Sequence, residues 1–352
     1  MKKIFISLLA VAALAACSKS EVAYEAANEI SFAPVAKNIT KGAVGTVDSK
    51  GTYPTAQPLG VYANYGSVAP SANADVANYT TKFLENVKFT YNTTAGAWGA
   101  GESWPANGSL IFAGYAIPKD GEVNGNGTYN YVFGEDKLTI TGYTQSNDPA
   151  ASFDLGWFNR TSTSYNNRND SAPVSVTLSH ALAWVEFKVL GTGTTVGENA
   201  WIIKSITMNN VATRGNAVCI GTGADKAQWN TLSNPMSITV FTGTQPLTAN
   251  ATVCETANTD VIVIPQTPTE VRTDGALDVT KSVATVTVTY TYDSPAGDVM
   301  PLQTVTAPLV VDGGWKSGYK YTYTLTFKAS EILISPDYGT WANGGDKTVT
   351  VE

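Results

Sequence analysis

The 352-residue chain carries 22 lysines and arginines against 29 aspartates and glutamates, a formal net charge of −7. An acid excess without any basic cluster excludes nucleic acid as a partner, because neutralising phosphates takes grouped Lys and Arg. Only 14% of residues are charged while Thr, Val, Tyr, Gly and Asn recur, which is the balance of a β-rich secreted protein and not of a helical one.

The N-terminus sets the compartment. Lys2 and Lys3 precede an apolar run, Ile4 to Ala13, broken only by Ser7. That is the length of a signal-peptide core and too short to span a bilayer as a helix. The run ends in Leu14-Ala15-Ala16-Cys17, which resembles the lipobox of bacterial lipoproteins, with the Cys17 thiol as the group that takes the lipid. Residues 1–16 are therefore read as signal peptide and 17–28 as a lipidated tether. An ordinary cleaved signal is the plainer alternative. No later stretch approaches the roughly 18 consecutive apolar residues of a membrane helix.

The first strand is EISFAPVA (29–36), in which Ile30 and Phe32 share a face, and it is followed by the polar NITKGAVGTVDSKG (38–51). Short β-like runs come next: LGVYANY (59–65), KFTYN (88–92), SLIFAGYAI (109–117), TYNYVF (128–133) and KLTITGY (137–143). Gly, Asn, Pro and Asp clusters separate them. One helix is expected, over Ala74 to Leu84, although Tyr79-Thr80-Thr81 interrupts it. The most polar stretch of the middle, NNRNDSAP (166–173), places a domain boundary, giving an N-terminal domain 29–172 and a C-terminal domain 173–352.

The second half repeats the texture through VSVTLSHALAWVEFKVL (174–190), WIIKSITMNNV (201–211), VIVIPQ (261–266), VATVTVTYTY (283–292) and YKYTYTLTF (319–327). The last two alternate almost strictly, as half-buried strands do. Frequent short strands and no sustained helical period predict an all-β fold of two tandem antiparallel β-sandwich domains.

Chemistry is sparse. His180, the only histidine, has apolar residues on both faces of its strand, so it reads as a core residue whose ring nitrogens bond backbone groups. No G-x-S-x-G elbow supplies a nucleophile, and the G-T-G runs at 191–193 and 221–223 do not complete a dinucleotide fingerprint. No catalytic residue, cofactor or metal is assigned; the Cys and His content is too small for zinc, while a carboxylate-rich calcium site stays open. Trp98, Trp104, Trp157 and Trp229 are core residues or, if exposed in a row, a sugar-binding platform. Cys219 and Cys254 either pair in the oxidising compartment or stand apart as small buried hydrophobes.

An ordered set of signatures then carries a family resemblance. The lipobox is followed by EISF, LGVYANY, SWPANGSLIFAGYAIP (103–118) and DLGW (154–157). LSHALAWVEFKV (178–189), KSITMNNV (204–211), VIPQ (263–266), WKSGYKYTYTLT (315–326) and ILISPDYGTW (332–341) complete it. In this order they resemble the Bacteroidia fimbrillins, lipoprotein-derived pilins, over essentially the whole chain. The resemblance implies two tandem sandwiches of Greek-key, transthyretin-like form, exported as a lipoprotein to the outer membrane and held there through Cys17.

It further implies that a trypsin-like protease cuts in the loop after the first strand, which leaves with the lipid. A C-terminal segment of the next fimbrial subunit then fills the groove. Lys41 best matches the cleavage position, with Lys37 second. The candidate donor segments are Glu331–Ser335, with Ile332 and Ile334, and Lys347–Glu352, with Val349 and Val351 on one face; either is alternatively the last strand of its own domain. Asp170-Ser171-Ala172 resembles an O-glycosylation sequence, with Ser171 the acceptor. The function expected is that of a non-enzymatic pilus shaft subunit supporting adhesion or biofilm, and the alternative is a surface glycan-binding lipoprotein.

Overall fold

The computed structural model describes residues 28–36, 53–117, 129–132, 137–152, 154–193, 196, 201–220, 227–254, 261–292, 301–328 and 331–340. Cys17, Lys37, Lys41, Val349 and Val351 lie outside the described residues.

Among the described residues the regular elements are strands, apart from two three-residue 3-10 turns, so the fold is all-β as read from the sequence. The first strands are β1 (Glu29–Ala36), β2 (Leu59–Gly66), β3 (Thr81–Asn92), β4 (Ala97–Ser103) and β5 (Ser109–Ala116). A hairpin, β6 (Tyr129–Val132) and β7 (Lys137–Thr144), precedes β8 (Gly156–Phe158) and β9 (Val174–His180). The second half holds β10 (Ala183–Gly191), β11 (Trp201–Cys219), β12 (Ala227–Pro246), β13 (Thr252–Val253) and β14 (Val261–Val263). It ends with β15 (Arg272–Thr273), β16 (Ala276–Leu277), β17 (Thr285–Tyr292), β18 (Gln303–Pro308), β19 (Tyr319–Lys328) and β20 (Glu331–Thr340).

The helix expected over Ala74–Leu84 is absent. One 3-10 turn, Val76–Asn78, is capped by the Asp75 carboxylate, and β3 begins at Thr81. The aromatic and β-branched run Tyr79-Thr80-Thr81 favours the extended chain over a helix.

Seven strands close into a barrel in the order β1-β4-β3-β2-β5-β8-β9. Two of them turn its corners by changing partner. Strand β3 pairs with β2 from Thr81 to Phe89 and with β4 from Thr90 to Asn92. Strand β9 pairs with β1 over Val174–Leu178 and with β8 at Ser179 and His180. Corner strands of this kind join two faces that would otherwise be open sheets. The β1–β9 pairing is parallel, as is β10–β19, so the ladders are not wholly antiparallel as expected. Both pairs join strands distant in the chain, where no hairpin dictates direction.

The second unit packs a five-stranded sheet, β13-β10-β19-β20 with β14 on β10, against a six-stranded one, β18-β17-β11-β7-β6 with β12 on β11. Val185 and Phe187 of β10, Tyr323 and Leu325 of β19, Ile206 and Met208 of β11 and Val286 and Val288 of β17 share its core. The expected boundary at 172/173 does not coincide with the change of sheet. Strand β9 still belongs to the barrel, and the chain crosses at Ala181-Leu182. The polar stretch before it is a surface loop, and polarity alone does not distinguish a loop within a unit from one between units.

The β6–β7 hairpin leaves the barrel's run of chain and joins the other unit, β7 pairing with the far end of β11 at Arg214–Cys219. A third apolar core fills the seam so formed. Strand β5 is buried along its whole length, with Leu110 and Phe112 in the barrel core and Ala113 and Tyr115 in the seam. Tyr115 stacks on Tyr129 at 4.1 Å and 7°. Leu138, Ile140, Ala217 and Ile262 complete the seam from the other side.

Candidate functional site

The two residues of the first strand that share a face, Ile30 and Phe32, both point into the barrel core. Ile30 and Phe32 are fully buried. The Phe32 ring meets Phe89 and Phe112 edge-on at 5.1 Å each and lies 6.3 Å from Phe158. Burying each side chain contributes about 1.5–3 kcal/mol, and each edge-on ring pair adds about 0.5–1.5 kcal/mol.

The backbone of β1 is held on two sides. Glu29, Ser31 and Phe32 pair with Ser103, Gly99 and Trp98 of β4, while Phe32–Ala36 pair with Val174–Leu178 of β9. Beyond Phe32 only β9 pairs with β1 among the described residues, so Pro34, which has no N–H to donate, stands past the end of the β4 ladder. Past Ala36 the next described residue is Tyr53, which is fully buried. Its hydroxyl donates to the Pro58 carbonyl at 3.0 Å and its ring packs on Trp98 at 5.3 Å. Burial, and secondarily the Asp154 charge, push the Tyr53 phenol well up from its ordinary value. In the sequence, Lys37 and Lys41 fall between β1 and Tyr53.

Strand β20 contains Ile332 and Ile334 and pairs antiparallel with β19 over all ten residues, Glu331 opposite Lys328 through Thr340 opposite Tyr319. It is the edge of its sheet, with one neighbour among the described residues, and its Leu333 is 41% exposed. The segment Glu331–Ser335 is therefore a strand of its own unit here.

Ser171 is exposed. It sits in a turn where the Ala172 N–H donates to Asp170 Oδ1 at 3.0 Å and the Asn167 amide donates to the Ala172 carbonyl at 2.8 Å. Cys219 lies in the seam core and Cys254 in the core of the second unit, and no disulfide joins them. Of the two readings kept for them, small buried hydrophobes is the one observed. Trp98 and Trp104 are buried in the barrel and Trp157 in the seam. Trp229 is partly buried and donates its indole N–H to the Ala181 carbonyl at 2.6 Å. The four do not form an exposed aromatic row.

His180 is buried as expected, and one of its ring nitrogens has a side-chain partner. Nδ1 meets the Asp154 carboxylate at 2.5 Å, not a backbone group. Asp154 was missed by sequence reasoning, and the available signal was its place at the head of the DLGW signature. Among the described residues no group of three or more His, Cys, Asp or Glu side chains is placed to hold a metal ion. Nor is any helix there long and apolar enough to cross a membrane.

What stands out is a strand rather than a pocket: an all-β protein whose first described element is an interior strand of a closed barrel, followed in the sequence by a lysine-bearing segment. The chain belongs to the fimbrillin-like family, whose model matches residues 47–341. The crystal structure of a fimbrial protein from Bacteroides vulgatus is similar at a TM-score of 0.57 and 14% identity, over 89% of this chain and 99% of that one. A Bacteroides uniformis protein described as a cell adhesion protein gives a TM-score of 0.48 at 16% identity, over 89% of this chain and 99% of its own. One from Bacteroides ovatus, described likewise, gives 0.47 at 13% identity, over 91% of this chain and 100% of its own. No curated protein matches the sequence.

Proposed function

We propose that this chain is a structural subunit of a cell-surface fimbria, delivered to the outer membrane as a lipoprotein at Cys17 and polymerised by protease-triggered strand exchange. The supporting observation is the position of β1, an interior strand with Ile30 and Phe32 in the core and a ladder on either side. Cutting after Lys41, or after Lys37, frees β1 to leave with the lipid. The vacated slot then presents unpaired N–H and C=O groups of β4 and β9 over a trench lined by Phe89, Phe112 and Phe158.

A strand donated by another subunit repairs both losses. Each backbone bond regained is worth about 0.5–1.5 kcal/mol net, and its side chains fill alternate pockets. Because slot and donor lie on different parts of the molecule, the contact is head-to-tail and gives an open filament. A chain that keeps both a cleavable segment and C-terminal strands suits the shaft better than the tip or the anchor, and the fimbria serves adhesion or biofilm formation.

Limited trypsin digestion of the purified precursor tests this. A cut between Ala36 and Tyr53 should be followed by ladders resistant to mild detergent and by fibres in negative-stain images. A chain that is cut there, loses the 29–36 peptide and stays monomeric at high concentration would sink the proposal.

A further inference from the structure

Two segments of the chain carry one pattern. Glu29–Pro34 reads EISFAP and Glu331–Pro336 reads EILISP: Glu, Ile and Pro coincide, Phe32 is matched by Ile334, and Ala33 by Ser335. The dipeptide Glu-Ile occurs nowhere else in the sequence. In β1 the positions directed inward are Ile30, Phe32 and Pro34, all buried. The same positions of the second segment hold Ile332, Ile334 and Pro336.

We infer that Glu331–Pro336 of a second copy of this chain is the strand that takes the place of β1, each donor residue standing where the residue 302 positions earlier stood. The inference rests on the strand-exchange reading above and fixes its partner and register. Leu333 then lies opposite Gly99, Ser335 opposite Ser175 and Asp337 opposite Thr177, the positions that face Ser31, Ala33 and Val35 in the intact chain.

Three physical points favour this segment. Among the described residues β20 has β19 alone as neighbour in its own sheet, whereas the slot of β1 offers β4 and β9 together, so donation moves the segment from an edge to an interior position. Pro336 inherits the place of Pro34, past the end of the β4 ladder, where a missing N–H forfeits nothing on that side. The terminal KTVTVE segment fits worse in the register that fills all three inward places: with Val349 and Val351 in the places of Phe32 and Pro34, Lys347 falls in the fully buried site of Ile30.

The test is a cysteine pair in the full chain. Val35 and Thr177 are exposed, register-paired positions of neighbouring strands, within the Cα separation that a disulfide spans. The native Cys219 and Cys254 are buried and do not compete. A chain carrying Thr177→Cys and Asp337→Cys, cut with trypsin and oxidised, should give ladders that survive denaturing, non-reducing gels and collapse with reductant. A chain carrying Thr177→Cys and Glu352→Cys, the pair that would face each other if Val349 and Val351 took the places of Phe32 and Pro34, should give none. Fibres that form without the 177–337 link, or with the 177–352 link instead, overturn this register while leaving strand exchange standing. If the cut chain loses β1 and forms no fibres, strand exchange falls and this inference falls with it.

Discussion

Asp154 Oδ2 and His180 Nδ1 lie 2.5 Å apart with both residues buried, tying the segment ahead of β8 to the last residue of β9. The ladder brings them together: Gly156 is the register partner of His180, and Asp154 stands two residues before it. Strand β9 is also the parallel neighbour of β1, so this contact secures one wall of the slot at the corner where β9 turns from β1 to β8.

Removing one member of this pair takes a close side-chain partner from the other at a buried site. Asp154→Asn or His180→Phe should destabilise the uncut chain by about 3–5 kcal/mol, and the double variant by less than the sum of the two. Urea unfolding of the four proteins measures it. Single effects below about 1 kcal/mol, or strict additivity, would mean that the two residues act independently.

Phe32 offers a second measure of how strongly β1 is held. Phe32→Ala removes a ring that touches Phe89 and Phe112 and should lower the stability of the precursor by about 3–5 kcal/mol. Val35→Ala, on the exposed side of the same strand, should change it by no more than about 0.5 kcal/mol. Equal effects in chemical denaturation would show that β1 is not a core strand.

Part of this was legible from residue order. Alternation in Tyr319–Phe327 predicts a half-buried strand, and the structure buries Tyr321, Tyr323, Leu325 and Phe327 on one face of it. The unbroken run in β5 is explained by two different cores, with Phe112 facing one and Tyr115 the other. Partner and direction were not legible. Nothing local to EISFAPVA says that it pairs parallel with a strand over a hundred residues away, nor that β7 should leave its own half of the chain for β11. Such pairings are decided by long-range packing. Asp154 was hidden for the same reason, since a carboxylate in a loop declares its partner only when the fold brings it there.

Asp278 gives a pH-dependent local element. Its carboxylate accepts from the Thr280 hydroxyl at 2.6 Å, the Thr280 and Lys281 N–H groups at 3.1 and 3.2 Å and the Thr273 hydroxyl at 2.9 Å, and pairs with Lys281 Nζ at 3.0 Å. These bonds, led by the Thr280 hydroxyl, hold its carboxyl well below the usual range. A depressed folded value stabilises the loop above the unfolded carboxyl range, near about 3.9, and that support is lost as pH falls below it. Amide exchange at Val271 and Ser282 should be slow at neutral pH, quicken relative to the barrel strands as acid is added, and lose that pH response in Asp278→Asn. Asp278→Asn behaving as wild type throughout would remove the carboxylate from the account.

The two described cysteines should behave as separate thiols. Burial pushes the Cys219 thiol up, which disfavours the reactive thiolate. In a chain beginning at Ser18, a thiol reagent should find almost nothing in the folded protein and two equivalents after unfolding without reductant. Zero equivalents after unfolding would establish a disulfide and require the seam and the second core to be packed differently.

The seam should fail separately from the barrel and the second core. A Cβ on Gly60 would stand 2.5 Å from Tyr115 Cζ, and Tyr115 has little freedom to yield. Its ring is stacked on Tyr129, and its hydroxyl donates to Asn86 Oδ1 at 2.9 Å. Gly60→Ala must therefore displace that ring or bend β2. Overpacking of this kind costs about 1–3 kcal/mol, and loss of the stack adds about 0.5–1.5 kcal/mol. Because Tyr129 belongs to the β6–β7 hairpin, the damage should appear first where the hairpin meets the barrel. Hydrogen exchange should quicken across residues 129–132 and 137–144, while β19, which shares no core with Tyr115, stays protected. Gly60→Ala with Tyr115→Leu, which removes the obstructing ring, should recover part of the loss. Uniform quickening across both units would instead mean that the seam and the two other cores open as one cooperative body.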